Sequence, residues 1–416
     1  MNILHINYTD LAGGRFTGMY MKDALDSSFN VEMAVWDKKS KSDKVNELFQ
    51  NSNWLHYFFT KLMLFTSRLS FDGLLGTSGW FIHRKNYFKK SDVIHIHLIH
   101  GFSNFSILSL PKLSFLKPMV WTLHDPWAIT GGCEHSFECE KWMTGCSPLC
   151  PHPRCTSLFN RYTPYIHWRI KKWVYARMNV TIVVASEWML NKVKKSPLLN
   201  HLPIKLIPFG VDVNKFYLEN KQKSRDHFGI PLENKVIAFR NTGLYPDKYK
   251  GIRWLKSALE KYSPKKPTTL LVLEGTTGFE ELSSKFNIVY LGWVDGNELI
   301  QALSAADIFL MPSIQESFGL MAIEAMACET PVIVFDGTAL PSIVKSGGIV
   351  VESKNSEKLA ESIELLLTDD NKREELSLKS RKIVETEYSY SLYVNKHIEM
   401  YSETIKKFEM KLNKSI

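Results

Sequence analysis

The chain has 416 residues, which is enough for two domains of about 200 each. Hydrophobic residues make up 44% and charged residues 23%, which excludes a disordered chain, and the absence of any apolar run of about 18 residues excludes a membrane-spanning helix. Lysine and arginine number 52 against 43 aspartate and glutamate, and the net charge of +9 favours an anionic partner: nucleic acid, a phospholipid surface or a phosphorylated substrate.

The N-terminus has neither the basic start nor the apolar run of a secretory leader, so the chain reads as cytoplasmic. Residues 2–7 read as a buried strand, Gly13-Gly14 as a turn and Thr17–Leu25 as a helix. That is the start of a nucleotide-binding half-domain, without the full Gly-x-Gly-x-x-Gly. Residues 31–36 give a second strand and 37–50 a polar, lysine-rich loop. Between 51 and 90, aromatic residues such as Trp54, Tyr57, Phe65 and Trp80 interleave with Lys61, Arg68, Arg84 and Lys89. Strands follow at 92–98 and 119–123, then a cysteine-rich loop at 126–156, a helix near 160–178, a strand at 181–185, a helix from Glu187 and a strand ending at Pro208. Gly210–Glu233 is polar, is broken by Gly229 and Pro231, and reads as a linker. The rhythm then restarts, with strands at 236–240, 270–274, 288–291, 307–312 and 331–335, helices at 251–260, 297–304 and 318–328, and a helical last 60 residues. Strands alternating with helices in both halves predict an α/β fold with two parallel sheets, each covered on both faces.

The most informative stretch runs from Pro312 to Ala327. A strand ends, a polar turn follows and a helix begins. Glu316 lies in the turn and Glu324 lies eight positions on, roughly two helical turns along the axis. The first N–H groups of the helix, at Ser317, Phe318, Gly319 and Leu320, have no partner within the helix and make a site for a phosphate. An anion held there would leave one carboxylate near each end of an attached nucleotide sugar, where carboxylates accept from paired hydroxyls. Glu324 stands among Met321, Ala322, Ile323, Ala325, Met326 and Ala327, where a charge is costly without a partner.

This segment, continued through Cys328-Glu329-Thr330-Pro331-Val332-Ile333-Val334, resembles the Glu-x7-Glu signature of the family 4 retaining glycosyltransferases. The resemblance implies the GT-B fold, two Rossmann-like domains facing a central cleft. It implies an acceptor-side domain over 1–210, a nucleotide-sugar domain over 211–385 and a C-terminal helix over 386–416 that packs back towards the first domain. It gives Glu316 a place beside the donor sugar and Glu324 a place at the ribose. Trp121-Thr122-Leu123-His124-Asp125 resembles the strand end whose histidine reaches the transferred sugar; without that resemblance, His124 reads equally well as a structural residue. Lys250-Gly251 resembles the diphosphate-binding Lys-Gly, with Arg240 as the candidate second cation, and Gly13-Gly14 would let the backbone approach the phosphates. No Asp-x-Asp occurs, so the expectation is that catalysis requires no metal and that basic side chains take the charge of the leaving diphosphate. Departures from the pattern are Phe209 for the usual Asn, Glu329 for a common Gly and Ser342 for a common Glu; the last two are read as tuning donor choice.

The cysteine loop, with Cys133, Cys139, Cys146, Cys150 and Cys155 and with His135 and His152 nearby, resembles one in the subset of the family that builds bacterial surface polysaccharides of the colanic-acid type. Four thiolates can hold a structural zinc tetrahedrally. Otherwise these are reduced cysteines that line an acceptor loop. The expected reaction is retaining transfer of a sugar from a UDP- or GDP-linked donor to a saccharide or lipid-linked saccharide, by front-face attack, at the inner membrane face. Residues 54–90 are read as making peripheral membrane contact and 161–178 as packing inward. The alternatives are a sugar-nucleotide epimerase and a non-catalytic polysaccharide-assembly protein on the same fold. Nucleic acid is not expected, because the basic residues are scattered and no recognised motif supports it.

Overall fold

The protein is described from a computed structural model, which covers residues 1–11, 19–25, 29–48, 53–68, 73–74, 76–100, 104–150, 158–241 and 247–413. Gly13, Gly14, His152 and Cys155 lie outside these. The chain divides into two compact units, Met1–Ile207 with Val394–Ile416, and Pro208–Tyr393.

The first unit is built on strands β1 (Asn2–Thr9), β2 (Asn30–Asp37), β3 (Val45–Glu47), β4 (Val93–Ile96), β5 (Met119–Leu123), β6 (Thr181–Val184) and β7 (Ile204–Leu206). Its helices are α1 (Met19–Ala24), α2 (Asn53–Arg68), α3 (Ser78–Phe81), α4 (Asn86–Lys90), α5 (Leu110–Leu116), α6 (Leu158–Tyr175) and α7 (Glu187–Lys195). All seven strands run parallel in the order β3-β2-β1-β4-β5-β6-β7. Near-continuous apolar runs such as Met119–Leu123, buried at every position, form such strands because helices cover both faces. The core gathers Ile6, Ile94, Phe105, Trp121, Trp127 and Tyr175.

The second unit carries β8 (Lys235–Arg240), β9 (Thr268–Leu273), β10 (Asn287–Gly292), β11 (Ile308–Met311), β12 (Val332–Phe335) and β13 (Gly348–Val351). They form a parallel sheet ordered β10-β9-β8-β11-β12-β13. The helices are α8 (Lys221–His227), α9 (Asp247–Lys250), α10 (Ile252–Lys261), α11 (Gly296–Ala305), α12 (Leu320–Ala327), α13 (Leu340–Val344), α14 (Ser356–Thr368) and α15 (Asp370–Glu387). The last helix, α16 (Tyr390–Asn413), passes from the second unit into the first at Val394.

Three expectations need correction. The loop at 37–50 contains β3, a three-residue edge strand that pairs Val45 with Met33 and is too short and polar to show a period. The polar stretch read as a linker is part of the second unit. There α8 packs on α11, and Arg381 donates to the carbonyls of Val213 and Phe216 at 3.0 and 2.7 Å. Helix α6 does not simply pack inward: Trp168 and Tyr175 are buried, but Tyr162 and Trp173 are exposed.

Candidate functional site

Both sheets reverse their strand order once, between β1 and β4 in the first unit and between β8 and β11 in the second. Such switch points leave a crevice at the carboxyl ends of the strands, where α/β proteins bind ligands. Of the residues singled out from sequence, Arg240 ends and Glu316 follows the two strands of the second switch point, β8 and β11 respectively.

In the second unit, Arg240 ends β8, and the Glu316 turn follows β11. The turn is shaped by what it packs on. The carbonyl of Tyr249 accepts from the backbone N–H groups of Ile314 and Gln315, at 2.8 and 3.1 Å. Next to it, Gly251 has φ +68°, and a Cβ there would lie 2.1 Å from the Pro312 carbonyl oxygen, so only glycine permits this approach. Thr338 accepts from the N–H of Glu316 at 3.1 Å. These contacts set the Lys250 ammonium 2.8 Å from Oε2 of Glu316, in an ion pair that is about one-fifth to one-quarter exposed, 26% for Lys250 and 19% for Glu316. Arg240 ion-pairs with Glu274, and its guanidinium lies 5.9 Å from the Trp293 ring centre. Sequence reasoning missed Glu274; its φ of +65°, just past the end of β9, marks it as a special backbone position.

Helix α12 starts at Leu320, two residues later than expected, with Gly319 at its N-cap and φ +104°. Its first N–H groups have no acceptor within the helix. Phe318 precedes it as a core residue, edge-on to Phe209 at 5.0 Å and to Tyr388 at 5.9 Å. Phe209, where an Asn is usual, therefore has a packing role. Glu324 is 1% exposed. A carboxylate so deep in an apolar helix has a cost that packing alone does not justify.

In the first unit, His124 follows β5. Its Nε2 lies 3.1 Å from Nδ1 of His97, whose Nε2 lies 2.8 Å from Nδ1 of His5. The ring nitrogens of His95 lie 2.6 Å from the Tyr401 hydroxyl and 2.7 Å from Oγ1 of Thr122. Sequence reasoning missed this cluster, although His95 and His97 alternate along one strand face in an otherwise apolar run. Burial holds all four rings neutral. It drops His5 to about 3, with His397 adding to the effect, and His124 to about 4 against the pull of Asp125; His95 and His97 fall well below the usual imidazole range. Beside them, His100 pairs with Asp125 at 3.1 Å.

The four described cysteines of the loop, Cys133, Cys139, Cys146 and Cys150, share the wall of a cavity of about 350 Å³ with Thr130 and Trp142. None of the four is joined in a disulfide among the described residues. A hydrogen bond with Cys150, and then burial, push the Cys133 thiol up; burial takes Cys146 to about 11. Among the described residues, the ligand atoms that close to within 4.8 Å as a set of three belong to His5, His95 and His97, not to these cysteines. The aromatic–basic region divides. Leu74, Ile82 and Phe88 join the core, whereas α2 exposes Trp54, Tyr57, Phe58 and Phe65 beside Lys61. Among the described residues, no helix is long and apolar enough to cross a membrane.

The family described as glycosyl transferases group 1 matches residues 220–383, the stretch that holds Arg240, Lys250, Glu316 and Glu324. The chain is also similar in sequence to curated proteins. One is a GDP-mannose-dependent monoacylated alpha-(1-6)-phosphatidylinositol monomannoside mannosyltransferase of Corynebacterium glutamicum, 31% identical over 48% of this chain and 56% of that protein. Another is the capsular polysaccharide biosynthesis glycosyltransferase CapM of Staphylococcus aureus, 27% identical over 55% of this chain and 63% of CapM. The chain thus spans little more than half the length of these relatives. In the solved structures, Anabaena HepE in complex with UDP-glucose matches 97% of this chain and 100% of HepE with a TM-score of 0.64 at 18% identity. The fold is therefore GT-B, with two Rossmann-like sheets of seven and six strands.

Proposed function

We propose that this protein is a retaining glycosyltransferase of surface polysaccharide biosynthesis, which moves a hexosyl group from a UDP- or GDP-linked donor to a saccharide or lipid-linked saccharide. The observation that carries the reading is the arrangement in the second unit: the Lys250–Glu316 ion pair and the start of α12 at the switch point, with Glu324 buried about one turn into that helix. A diphosphate would compete with Glu316 for Lys250 and with Glu274 for Arg240, and it would also meet the N–H groups at Ser317, Phe318, Gly319 and Leu320. Glu316, released from Lys250, would accept from the sugar hydroxyls, and Glu324 from the ribose. From the first unit, His124 would touch the transferred sugar. Charge neutralisation by Lys250, Arg240 and the helix start would leave catalysis without need of a metal.

Thermal shift with a panel of nucleotides and nucleotide sugars in EDTA tests the donor site. One nucleoside diphosphate should stabilise the protein clearly, and Lys250→Ala and Glu324→Ala should abolish that shift. Stabilisation by none of them would remove the assignment. Turnover should fall roughly 100-fold or more in Glu316→Gln, the order of effect seen when charge stabilisation at a reacting centre is removed; full activity would strike Glu316 from the mechanism. Product anomer analysis checks retention.

The reading extends to two neighbouring features. The exposed aromatic face of α2, with Lys61, would dip into an anionic membrane surface where a lipid-linked acceptor resides. Sedimentation with anionic vesicles, compared with Trp54→Ser/Phe65→Ser, tests this. A structural zinc at Cys133, Cys139, Cys146 and Cys150 would require the thiols to close on one another across their cavity and ionise; metal analysis of the purified protein decides it.

A further inference from the structure

Just past the end of β4, His100 joins the turn that follows β5. Its Nε2 lies 3.1 Å from Oδ2 of Asp125, whose other oxygen, Oδ1, accepts from the backbone N–H of Trp127 at 2.7 Å. The His100 ring stacks on the Trp127 indole, with 4.6 Å between centres and 13° between planes. Lys171 of α6, fully buried, holds that indole in place. Its ammonium lies 3.4 Å from the ring centre and donates to the carbonyls of Trp127 and Thr130 at 2.6 and 3.1 Å. Strands β4 and β5 are neighbours, and β4 borders the point where this sheet reverses its order. The group therefore stands at the carboxyl ends of the strands, where α/β proteins bind ligands.

The bond to Asp125 decides how the imidazole is protonated. Burial raises the Asp125 carboxyl, but His100 and the N–H of Trp127 bring it below its usual range, so it is ionised at neutral pH. An ionised carboxylate only accepts, which fixes a proton on Nε2 whether the ring is neutral or charged. His100 therefore titrates at Nδ1. That atom bonds to nothing among the described residues, and the side chain keeps 12% of its surface exposed. Burial lowers the His100 pKa, Asp125 and then Glu134 raise it by more, and Lys171 opposes them by less, so the ring keeps its second proton to higher pH than a free histidine does. Of the other rings nearby, His124 faces His100 and stays neutral, and His135 faces Asp125.

A protonated Nδ1 is a charge-assisted donor and is suited to an oxygen that carries negative charge. Both oxygens of Asp125 are already taken. The stretch from Lys141 to Ser186, which includes α6, has no acidic residue and brings Lys171 to the stack. We propose that Nδ1 of His100 contacts the phosphate of a phosphate-bearing acceptor, with Asp125 and Trp127 as positioning residues that hold the ring. This deepens the transferase reading and rests on it for the word acceptor alone: it selects a lipid-linked or otherwise phosphorylated saccharide over a free one. Only the protonated ring offers Nδ1–H, so phosphate binds below the His100 pKa and is released as pH rises through it. By linkage, bound phosphate raises that pKa.

The test is histidine-ring 15N–1H correlation spectroscopy on the full chain, titrated across neutral pH. His100 is assigned by its loss in His100→Gln, or by its ring contacts with Trp127 if that variant does not fold. The neutral ring should carry its proton on Nε2. Inorganic phosphate, glucose 1-phosphate and geranyl diphosphate, each compared with chloride at equal ionic strength, should raise the His100 pKa. The shift should persist in Lys250→Ala, which removes the donor-side cation. The ester that acts at the lower concentration identifies the source, sugar-borne for glucose 1-phosphate and lipid-borne for geranyl diphosphate. His100→Gln keeps a donor for Asp125 but cannot gain charge. It should weaken binding of that ester roughly tenfold, the scale of one hydrogen bond to a charged group, and abolish its pH dependence. A proton on Nδ1 of the neutral ring would overturn the inference, as would a titration that no phosphate moves beyond the chloride control, which is screening alone. A shift with inorganic phosphate but with neither ester would mean a free-anion site and strike the acceptor. If the nucleotide panel fails while the ester shift holds, the donor site falls and this contact stands; the reverse result strikes His100 and keeps the donor site.

Discussion

The two units share an architecture and bury their polar groups in opposite ways. In the first unit lie His5 and His95, within β1 and β4, and His97 and His124, just past β4 and β5, all neutral and bonded to one another or to the hydroxyls of Thr122 and Tyr401. In the second, the buried Asp307 carboxylate accepts from Lys221 at 2.5 Å, Arg225 at 3.0 Å and the N–H of Val236 at 2.7 Å, while Arg225 also donates to the carbonyls of Ala305, Leu232 and Asn234. Neutral imidazoles avoid the cost of taking charge out of water, but they must stay unprotonated. The ionic cluster accepts that cost and is sensitive to losing one partner. One cluster thus resists protonation, and the other is already charged.

The sharpest way to separate the units is acid. His5, His95, His97 and His124 all have depressed folded-state pKa values, so the unfolded chain binds protons from about pH 6.5 downward while the folded one does not. Each such ring removes about 1.4 kcal/mol of stability per pH unit until the folded pKa is reached, about 4 for His124 and about 3 for His5. His100 runs the other way. Burial lowers its pKa but Asp125 raises it by more, so the stability it adds is already complete near pH 6.5, the unfolded value, and offsets none of the loss below that. The four rings together lose on the order of 5–6 kcal/mol per pH unit below about pH 6. Asp307, whose lysine and arginine partners hold it low despite burial, loses its contribution only below about pH 4. Hydrogen exchange followed peptide by peptide should show the first unit opening between pH 6 and 4 while the second stays protected. Joint opening at one pH would collapse the distinction.

The next test breaks the ionic cluster directly. Asp307→Ala leaves the Arg225 guanidinium, only 4% exposed, without its carboxylate, and should cost about 3–5 kcal/mol in denaturant unfolding of the second unit. A loss below about 1 kcal/mol would mean that the three carbonyl acceptors left to Arg225 suffice.

Much of the fold was legible in sequence because a parallel sheet covered on both faces needs unbroken apolar strands, and these announce themselves. The short β3 did not, since three residues with one buried side chain carry no period. Glu324 was legible because an acid amid Met321–Ala327 is anomalous by itself. The Lys250–Glu316 pair was not. The residues are 66 positions apart, and what joins them is the Tyr249 carbonyl and a glycine contact with Pro312, neither of which has a side-chain signature. The pairing of Arg240 with Glu274 was hidden for the same reason. The His5–His97 link was within reach, because His95 and His97 sit two apart and so share a strand face, but the partner strand β1 comes some 90 residues earlier.

That glycine contact gives the third test. Gly251→Ala must hold a methyl-bearing residue at φ +68° and push back the Pro312 carbonyl, so it should cost the second unit about 2 kcal/mol or more. It should also weaken nucleotide binding, because the strain falls on the Glu316 turn. Unchanged binding in a destabilised variant would separate the turn from the donor site.

The smallest expected effect has the opposite sign. Glu329 was read as a departure that tunes donor choice; the structure places it at the end of α12 with φ +56°. Around it, the N–H of Thr330 donates to the Ala325 carbonyl at 3.0 Å and the N–H of Glu329 to Met326 at 3.1 Å, the paired bonds of a Schellman turn. That turn puts its C′ residue in the left-handed region, which costs a residue with a Cβ about 1–2 kcal/mol. Glu329→Gly removes this cost but gives back about 0.4–1 kcal/mol through a more flexible unfolded chain. The net should be a stabilisation of about 1 kcal/mol, or roughly 2–4 °C in Tm. Donor preference should not change, because the backbone conformation that reaches Glu324 from this end is the same with either residue. A shift in donor preference at unchanged Tm would reverse the assignment and return Glu329 to the site.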